Sequence, residues 1–299
     1  MTPRASVVIP AHDEATALPG LLGRLAAAGP GAFEIVVVAN GCADATAQVA
    51  RAAGAHVVEI PEPSKAAALA AGDAVAVAFP RVYLDADVVV DADALLALAA
   101  ALRARPGPAV GAPTLRVDAS EASWAVRQHY RVWALTDYRR GGHVGSGVYA
   151  VNAAGRARWG AFPDVVADDR FVQQRFALAE RVTLPDHAFT VQAPRTVPAL
   201  MRRATRIHRG NQELVARGLA SSPPEPVGAA AAGRSPGRSS GRSPGRSQVA
   251  LLARVGRRPA LWPALAVYCV TYGAPALRAR VDARRGAPIA WAGRETARA

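Results

Sequence analysis

Cysteine and lysine are almost missing from this chain. Cysteine occurs twice in 299 residues, at Cys42 and Cys269. The two lie too far apart to give metal-ligand spacing or a disulfide framework, which argues against a structural zinc and for a reducing, cytoplasmic setting. Lysine occurs once, at Lys65, so nearly all of the 36 basic residues are arginine. There is no charged-then-apolar export signal: Met1-Thr2-Pro3-Arg4 runs directly into the strand-like Ala5-Ser6-Val7-Val8-Ile9, and the first domain is expected inside the cell. Long apolar runs are also scarce. The one stretch of note is Ala260–Leu277, eighteen positions without a charge, at the lower limit for crossing a bilayer.

Against these gaps stands an excess of positive charge, +13 at neutral pH with a pI near 11.1. A basic balance favours an anionic partner, whether nucleic acid, a membrane surface or a phosphorylated small molecule. The arginines concentrate after residue 195, so the charge describes the second half more than the first. Residues 221 to 247 carry four Gly-Arg-Ser units and no large apolar side chain, the composition of a flexible basic linker. Nucleic-acid binding there would lack the aromatics that stack on bases, so nucleic acid is not the expected partner.

Through the first hundred residues, apolar β-type runs alternate with alanine-rich segments of helical period. Ala5–Ile9, Glu34–Ala39, Ala55–Glu59 and Arg81–Leu84 read as strands, and Glu14–Ala28, Asp44–Ala53, Lys65–Ala78 and Ala92–Arg103 as helices. This is a βαβ series, expected to form an α/β domain with a mostly parallel sheet covered on both faces. Further on, Ala109–Val117 and Gly147–Val151 read as strands, and Glu121–Tyr138, Asp168–Ala179 and Pro198–Ala216 as helices. The expected organisation is a catalytic-size domain over 1–218, a linker over 219–248, and a C-terminal apolar and basic helical segment over 249–299. Within that last segment, Trp262, Tyr268 and Tyr272 would anchor a helix lying in a membrane interface; the alternative is a helix packed back on the domain.

Ligand sites of such sheets lie beyond the carboxyl ends of the strands. Three polar clusters follow strands directly: Pro10-Ala11-His12-Asp13-Glu14, Asn40-Gly41-Cys42-Ala43-Asp44 and Asp85-Ala86-Asp87. The last tripeptide recurs as Asp91-Ala92-Asp93. By position, the first copy ends a strand and suits a hard divalent cation such as Mn²⁺ or Mg²⁺. The second opens a helix, with Asp91 as N-cap and Asp93 in the first turn.

The ordered series of these clusters, with Ser64-Lys65-Ala66, Gly145-Ser146-Gly147, Ala167-Asp168-Asp169-Arg170-Phe171 and the arginine-rich helix near Arg203 and Arg206, resembles family 2 glycosyltransferases with the GT-A fold, over about residues 5 to 215. That resemblance implies an inverting, metal-dependent enzyme moving a sugar from a nucleoside-diphosphate sugar to an acceptor hydroxyl. It implies that Pro10, Ala11, Asp13, Glu14, Asn40, Asp44, Lys65, Asp85, Ala86 and Arg206 serve the donor nucleotide, that Asp85 and Asp87 hold the metal, and that Gly145, Ser146 and Gly147 lie on the acceptor side. Asp169, with Asp168 beside it, corresponds to the general base. His208 is a weaker candidate to reach the metal.

Three departures stand out. Asn40 replaces a frequent aspartate, Ser64 a usual glycine, and Arg203-Ala204-Thr205-Arg206-Ile207 lacks the glutamine and tryptophan of a Gln-x-x-Arg-Trp motif, which argues against a processive polymer synthase. They also support a competing expectation, a non-catalytic nucleotide-binding or membrane-tethered scaffold on the same fold. Trp124, Tyr130, Trp133 and Tyr138 are expected chiefly to pack, with acceptor stacking as the alternative. The acceptor itself is expected to be lipid-linked if the apolar segment meets the inner face of a membrane.

Overall fold

The computed structural model describes residues 2–136, 142–220 and 244–287, with side chains from 249 onward in the last segment. In chain order the elements are β1 (Ala5–Ala11), α1 (Leu18–Ala26), β2 (Phe33–Asn40), α2 (Thr46–Ala52), β3 (His56–Ile60), α3 (Lys65–Val75), β4 (Arg81–Leu84), β5 (Val89–Val90) and α4 (Ala92–Arg103). There follow β6 (Val110–Asp118), α5 (Trp124–Trp133), β7 (Val148–Val151), α6 (Ala153–Arg156), α7 (Asp168–Gln173), β8 (Arg181–Gln192), α8 (Val197–Ala216), α9 (Pro244–Gly256) and α10 (Trp262–Arg284).

The strands form one sheet in the order β3-β2-β1-β4-β7-β6-β8-β5. Strands β1 to β4 run parallel, as the βαβ series requires, and β7 runs antiparallel between β4 and β6. Successive side chains of a strand point to opposite faces, and the core divides accordingly. Val7, Ile9, Val82 and Leu84 enter one apolar layer with the leucines of α1 and α4. Val8, Val36, Val38 and Tyr83 enter the other, with Leu69 of α3 and a cluster of Trp159, Phe162, Phe171 and Phe176. Gly72 lets α3 sit on this second face, since a Cβ there would come within 2.4 Å of Val8. Beneath it, half-buried Asp73 is clamped by Arg81 and Arg156 at 2.5 and 2.7 Å and accepts from Tyr83 Oη.

Several sequence expectations shift. Helix α1 begins at Leu18 rather than Glu14, because Pro19 suits the first turn, where a missing N–H costs nothing. Helix α7 stops at Gln173, short of the expected Ala179. Strand β8 is an element the sequence reading missed. Pro185 and Asp186 interrupt its alternation, and its register against β6 shifts between Pro113 and Thr114. Most of the expected linker, and Tyr138, lie outside the described residues; α9 nonetheless starts at Pro244, inside the expected 219–248 span.

The C-terminal helix α10 runs continuously through Pro275 and packs against α5 and α8. Its inner face buries Ala264, Tyr268, Thr271, Pro275 and Ala279. Tyr268 is therefore a packing residue and not an interfacial anchor: its ring lies 5.0 Å from that of His129. His129 Nδ1 meets Thr271 Oγ1 at 2.7 Å, and burial pulls the His129 pKa down to about 4. Trp262, Val270, Tyr272 and Leu277 remain on the outer face. By length and composition the segment Pro259–Arg284 meets the requirement for crossing a membrane.

Candidate active site

The sheet order brings the polar clusters to one edge. Strands β1, β2 and β4 end at Ala11, Asn40 and Leu84, and antiparallel pairing of Leu84 with Val148 lays the start of β7 beside the end of β4. The loop before β7 thus meets Asp85: the Asp85 N–H donates to the Gly147 carbonyl at 2.8 Å. Gly145, Ser146 and Gly147 all have positive φ, at 111°, 61° and 98°. This turn directs the Ser146 N–H onto Asp169 Oδ2 at 2.9 Å. A Cβ at Gly145 would sit 2.6 Å from that oxygen, so only glycine fits.

Lys65, the first residue of α3, joins two of the acids. Its Nζ lies 2.8 Å from Asp85 Oδ1 and 3.1 Å from Asp168 Oδ1. Burial alone would lower the lysine pKa, but Asp168 and then Asp85 outweigh it and hold the group firmly protonated. Asp168 behaves conversely. Burial, with Asp169 and Asp85 nearby, overcomes the attraction of Lys65 and pushes its pKa up to about 6. Its other oxygen accepts from Tyr149 Oη at 3.3 Å. Ala167 occupies the N-cap position of α7, and the Asp168 carboxylate turns inward to Lys65.

Asp87 is exposed at the edge, and the low-dielectric surroundings of the cleft, followed by Asp85, raise its pKa, with Arg203 and Lys65 opposing. Arg206 is half-buried; desolvation and the neighbouring Arg203 lower its pKa, with Asp85, Asp87 and Asp169 opposing. Among the described residues, four carboxylates therefore face three cations, Lys65, Arg203 and Arg206, leaving negative charge in excess. This is the setting in which a hard divalent cation binds through carboxylate oxygens. Sequence reasoning found Arg206 but did not assign Arg203 or Tyr149 a role; the signal for Arg203 was its spacing of three from Arg206 on one helix.

A second group forms where β1 and β2 end. Asp13, at φ 53°, accepts from the Ala43 and Asp44 N–H groups through Oδ1 at 2.8 and 3.3 Å. Asp44 accepts from Ala15 N–H at 3.0 Å and from Thr46, which holds its pKa low despite partial burial. Glu14 is buried and its N–H donates to Thr46 Oγ1 at 2.8 Å. Asn40 is fully buried, and its Oδ1, expected to face a base, accepts from Ser64 N–H at 2.6 Å. Ser64 in turn caps α3 by accepting from Ala67 N–H at 3.2 Å. Pro10, Ala11 and Ala86 are buried backbone supports at this edge.

Two further expectations are corrected. Asp91 stands at the N-cap position of α4, but its carboxylate pairs with Arg24 at 3.0 Å and makes no capping bond. His208 does not approach the acidic cluster; its ring packs edge-on against Tyr272 at 5.0 Å. Of the aromatics on α5, Tyr130 and Trp133 pack against each other and the core, while Trp124 is 56% exposed.

Comparison with known proteins agrees with this architecture. No curated protein matches the chain. Among solved structures, the mannosyltransferase PcManGT of Pyrobaculum calidifontis, determined with GDP-Man and Mn²⁺, is 21% identical, with a TM-score of 0.56 over 96% of this chain and 80% of that one. Glucosyl-3-phosphoglycerate synthase of Mycobacterium tuberculosis, determined with phosphoglyceric acid, is 19% identical, with a TM-score of 0.47 over 63% of this chain and 70% of that one. The first likeness identifies the fold as GT-A, and the model of glycosyl transferase family 2 matches residues 6–159, more than half of the sequence: the chain belongs to that family.

Proposed function

We propose that this protein is an inverting, metal-dependent glycosyltransferase that uses a nucleoside-diphosphate sugar. The observation that carries the reading is the convergence of Asp85, Asp87, Asp168 and Asp169 on Lys65 and Arg206 at the carboxyl edge of a family 2 fold. The solved GT-A relative with GDP-Man and Mn²⁺ supports both the donor class and the metal.

In this reading Asp85 and Asp87 supply the oxygens for Mn²⁺ or Mg²⁺, whose positive charge would offset the charge gathering on the departing diphosphate. Lys65 orients Asp85 and Asp168, and Arg206 pairs with the diphosphate. Asp13, Glu14, Asn40 and Asp44, with Pro10, Ala11 and Ala86, shape the nucleoside end. Asp169 accepts the proton of the acceptor hydroxyl while that oxygen bonds to the anomeric carbon and the bond to the diphosphate oxygen breaks, which inverts the anomeric configuration. The Gly145-Ser146-Gly147 turn holds Asp169 facing the acceptor.

The outer face of α10 and its flanking arginines favour contact with an anionic membrane surface, and with it a lipid-linked acceptor at the cytoplasmic face. Three units organise the chain in this reading: the GT-A domain over 1–218, a linker that ends where α9 begins at Pro244, and the helical segment that follows. Isothermal titration of a nucleoside-diphosphate sugar panel tests the metal assignment. One donor binds in Mn²⁺ and its affinity falls at least about tenfold in Asp87→Ala, a loss of about 1.4 kcal/mol; equal binding without metal contradicts the reading.

A further inference from the structure

The nucleoside end of the cleft contains a group that the acidic centre does not use. His12, Asp13 and Cys42 bring one nitrogen, one oxygen and one sulfur within 4.8 Å of one another. Sequence spacing hid this group, because Cys42 lies 30 residues from His12 and β1–β2 pairing closes the gap.

Each ligand atom is already oriented. His12 Nδ1 lies 2.8 Å from the Asn40 carbonyl, an interaction that fixes the ring with the proton on Nδ1 and turns Nε2 toward Asp13 Oδ2 at 3.9 Å. A histidine whose second nitrogen donates to a backbone carbonyl is the usual arrangement for a metal ligand. Asp13 Oδ1 is occupied by the Ala43 and Asp44 N–H groups, which leaves Oδ2 as the ligating atom. The left-handed backbone of Asp13, uncommon outside glycine, presents the carboxylate beside His12. Cys42 Sγ lies 3.4 Å from the Ala11 carbonyl and is only partly buried.

We propose that His12 Nε2, Asp13 Oδ2 and Cys42 Sγ form a second cation site, selective for zinc-class metals and separate from the Asp85–Asp87 centre. Imidazole, thiolate and carboxylate together match Zn²⁺, whereas Mn²⁺ and Mg²⁺ prefer all-oxygen sets. Ligands around tetrahedral zinc are about 3.3–3.8 Å apart, given metal–ligand bonds of about 2.0–2.3 Å, so side-chain rotation closes the site. On binding, the Cys42 thiol releases its proton to solvent and the sulfur exchanges its contact with Ala11 for the metal. Three protein ligands leave a fourth position for water. Because Asp13 also serves the donor in the reading above, the bound ion would compete with the nucleoside, and this second half of the proposal rests on that reading.

Cobalt(II) titration of the full chain, followed by absorption spectroscopy, tests the site. Wild type gives a near-ultraviolet sulfur-to-cobalt charge-transfer band that Zn²⁺ bleaches. Cys42→Ser loses the band, His12→Ala binds at least about tenfold more weakly, and Cys269→Ser and Asp85→Asn retain it. Absence of the band from wild type, or its survival in Cys42→Ser, overturns the site. The competition is scored separately by titrating UDP and GDP in Mn²⁺ with and without one equivalent of Zn²⁺. A loss of about tenfold or more in affinity supports it, and unchanged affinity overturns the competition alone. Failure of both nucleotides to bind without Zn²⁺ overturns the donor reading and the competition with it, leaving the cation site to the spectroscopy.

Discussion

Asp168 and Asp169 are sequence neighbours with different environments. Asp168 is buried between Lys65 and Tyr149, while Asp169 is half-buried and accepts from the Ser146 and Arg170 N–H groups. The Asp168 pKa is raised from 3.8 to about 6. The folded chain therefore holds a proton that the unfolded chain releases between these values, and the group's contribution to stability falls as pH rises through that window. The ion pair with Lys65 exists only above it. Asp87 is raised as well, so metal and donor affinity should both strengthen with rising pH as these acids ionise, with a shallower rise in Asp168→Asn. Calorimetric titrations from about pH 5 to about pH 8 check this, and a flat profile in wild type contradicts it. At this scale the sequence showed which acids follow strands. It did not show that Asn40 and Asp44 spend their side chains on Ser64, Ala15 and Thr46, because such bonds depend on where neighbouring loops lie.

The turn before β7 shows how an element governs the chemistry. Its three positive-φ residues connect Asp85 to Asp169 through backbone groups alone. Gly145→Ala would add a Cβ 2.6 Å from Asp169 Oδ2 at a φ that alanine rarely adopts. The expected cost is about 1–3 kcal/mol of stability, with transfer reduced about 100-fold through displacement of the base and donor affinity nearly intact. Steady-state kinetics beside a melting curve separates these effects, and unchanged turnover contradicts the assignment. Beneath α3, Asp73→Ala would strand Arg81 and Arg156, and denaturant unfolding should report a loss of about 3–5 kcal/mol. The four parallel strands were legible as mainly apolar runs, since β1 and β4 are buried along their whole length and β2 over its last five residues. Periodicity failed for β8, whose Pro185-Asp186 break defeats a period of two.

Over the whole molecule, charge and exposed apolar surface coincide at the C-terminal helices. Trp262, Val270 and Leu277 stand 57%, 63% and 63% exposed on the outer face of α10, with Arg278, Arg280 and Arg284 on the same helix. Replacing those three apolar residues with serine leaves the inner face with Tyr268 and Thr271 intact. Flotation with anionic vesicles should lose the mutant and retain wild type, more weakly as salt rises; equal flotation of both removes the membrane contact. The sequence offered two fates for this segment, buried or interfacial. The structure assigns packing to one face, a division that length and hydropathy cannot register because both faces are apolar.

Transfer by this family 2 fold rests on Asp169 as its base. Measuring donor binding and turnover together in Asp169→Asn, in Mn²⁺ with the nucleoside-diphosphate sugar that wild type prefers, tests it most directly. The predicted result is donor affinity within about twofold of wild type and turnover reduced by at least about 100-fold, the contribution of a positioned base. Turnover equal to wild type would contradict it.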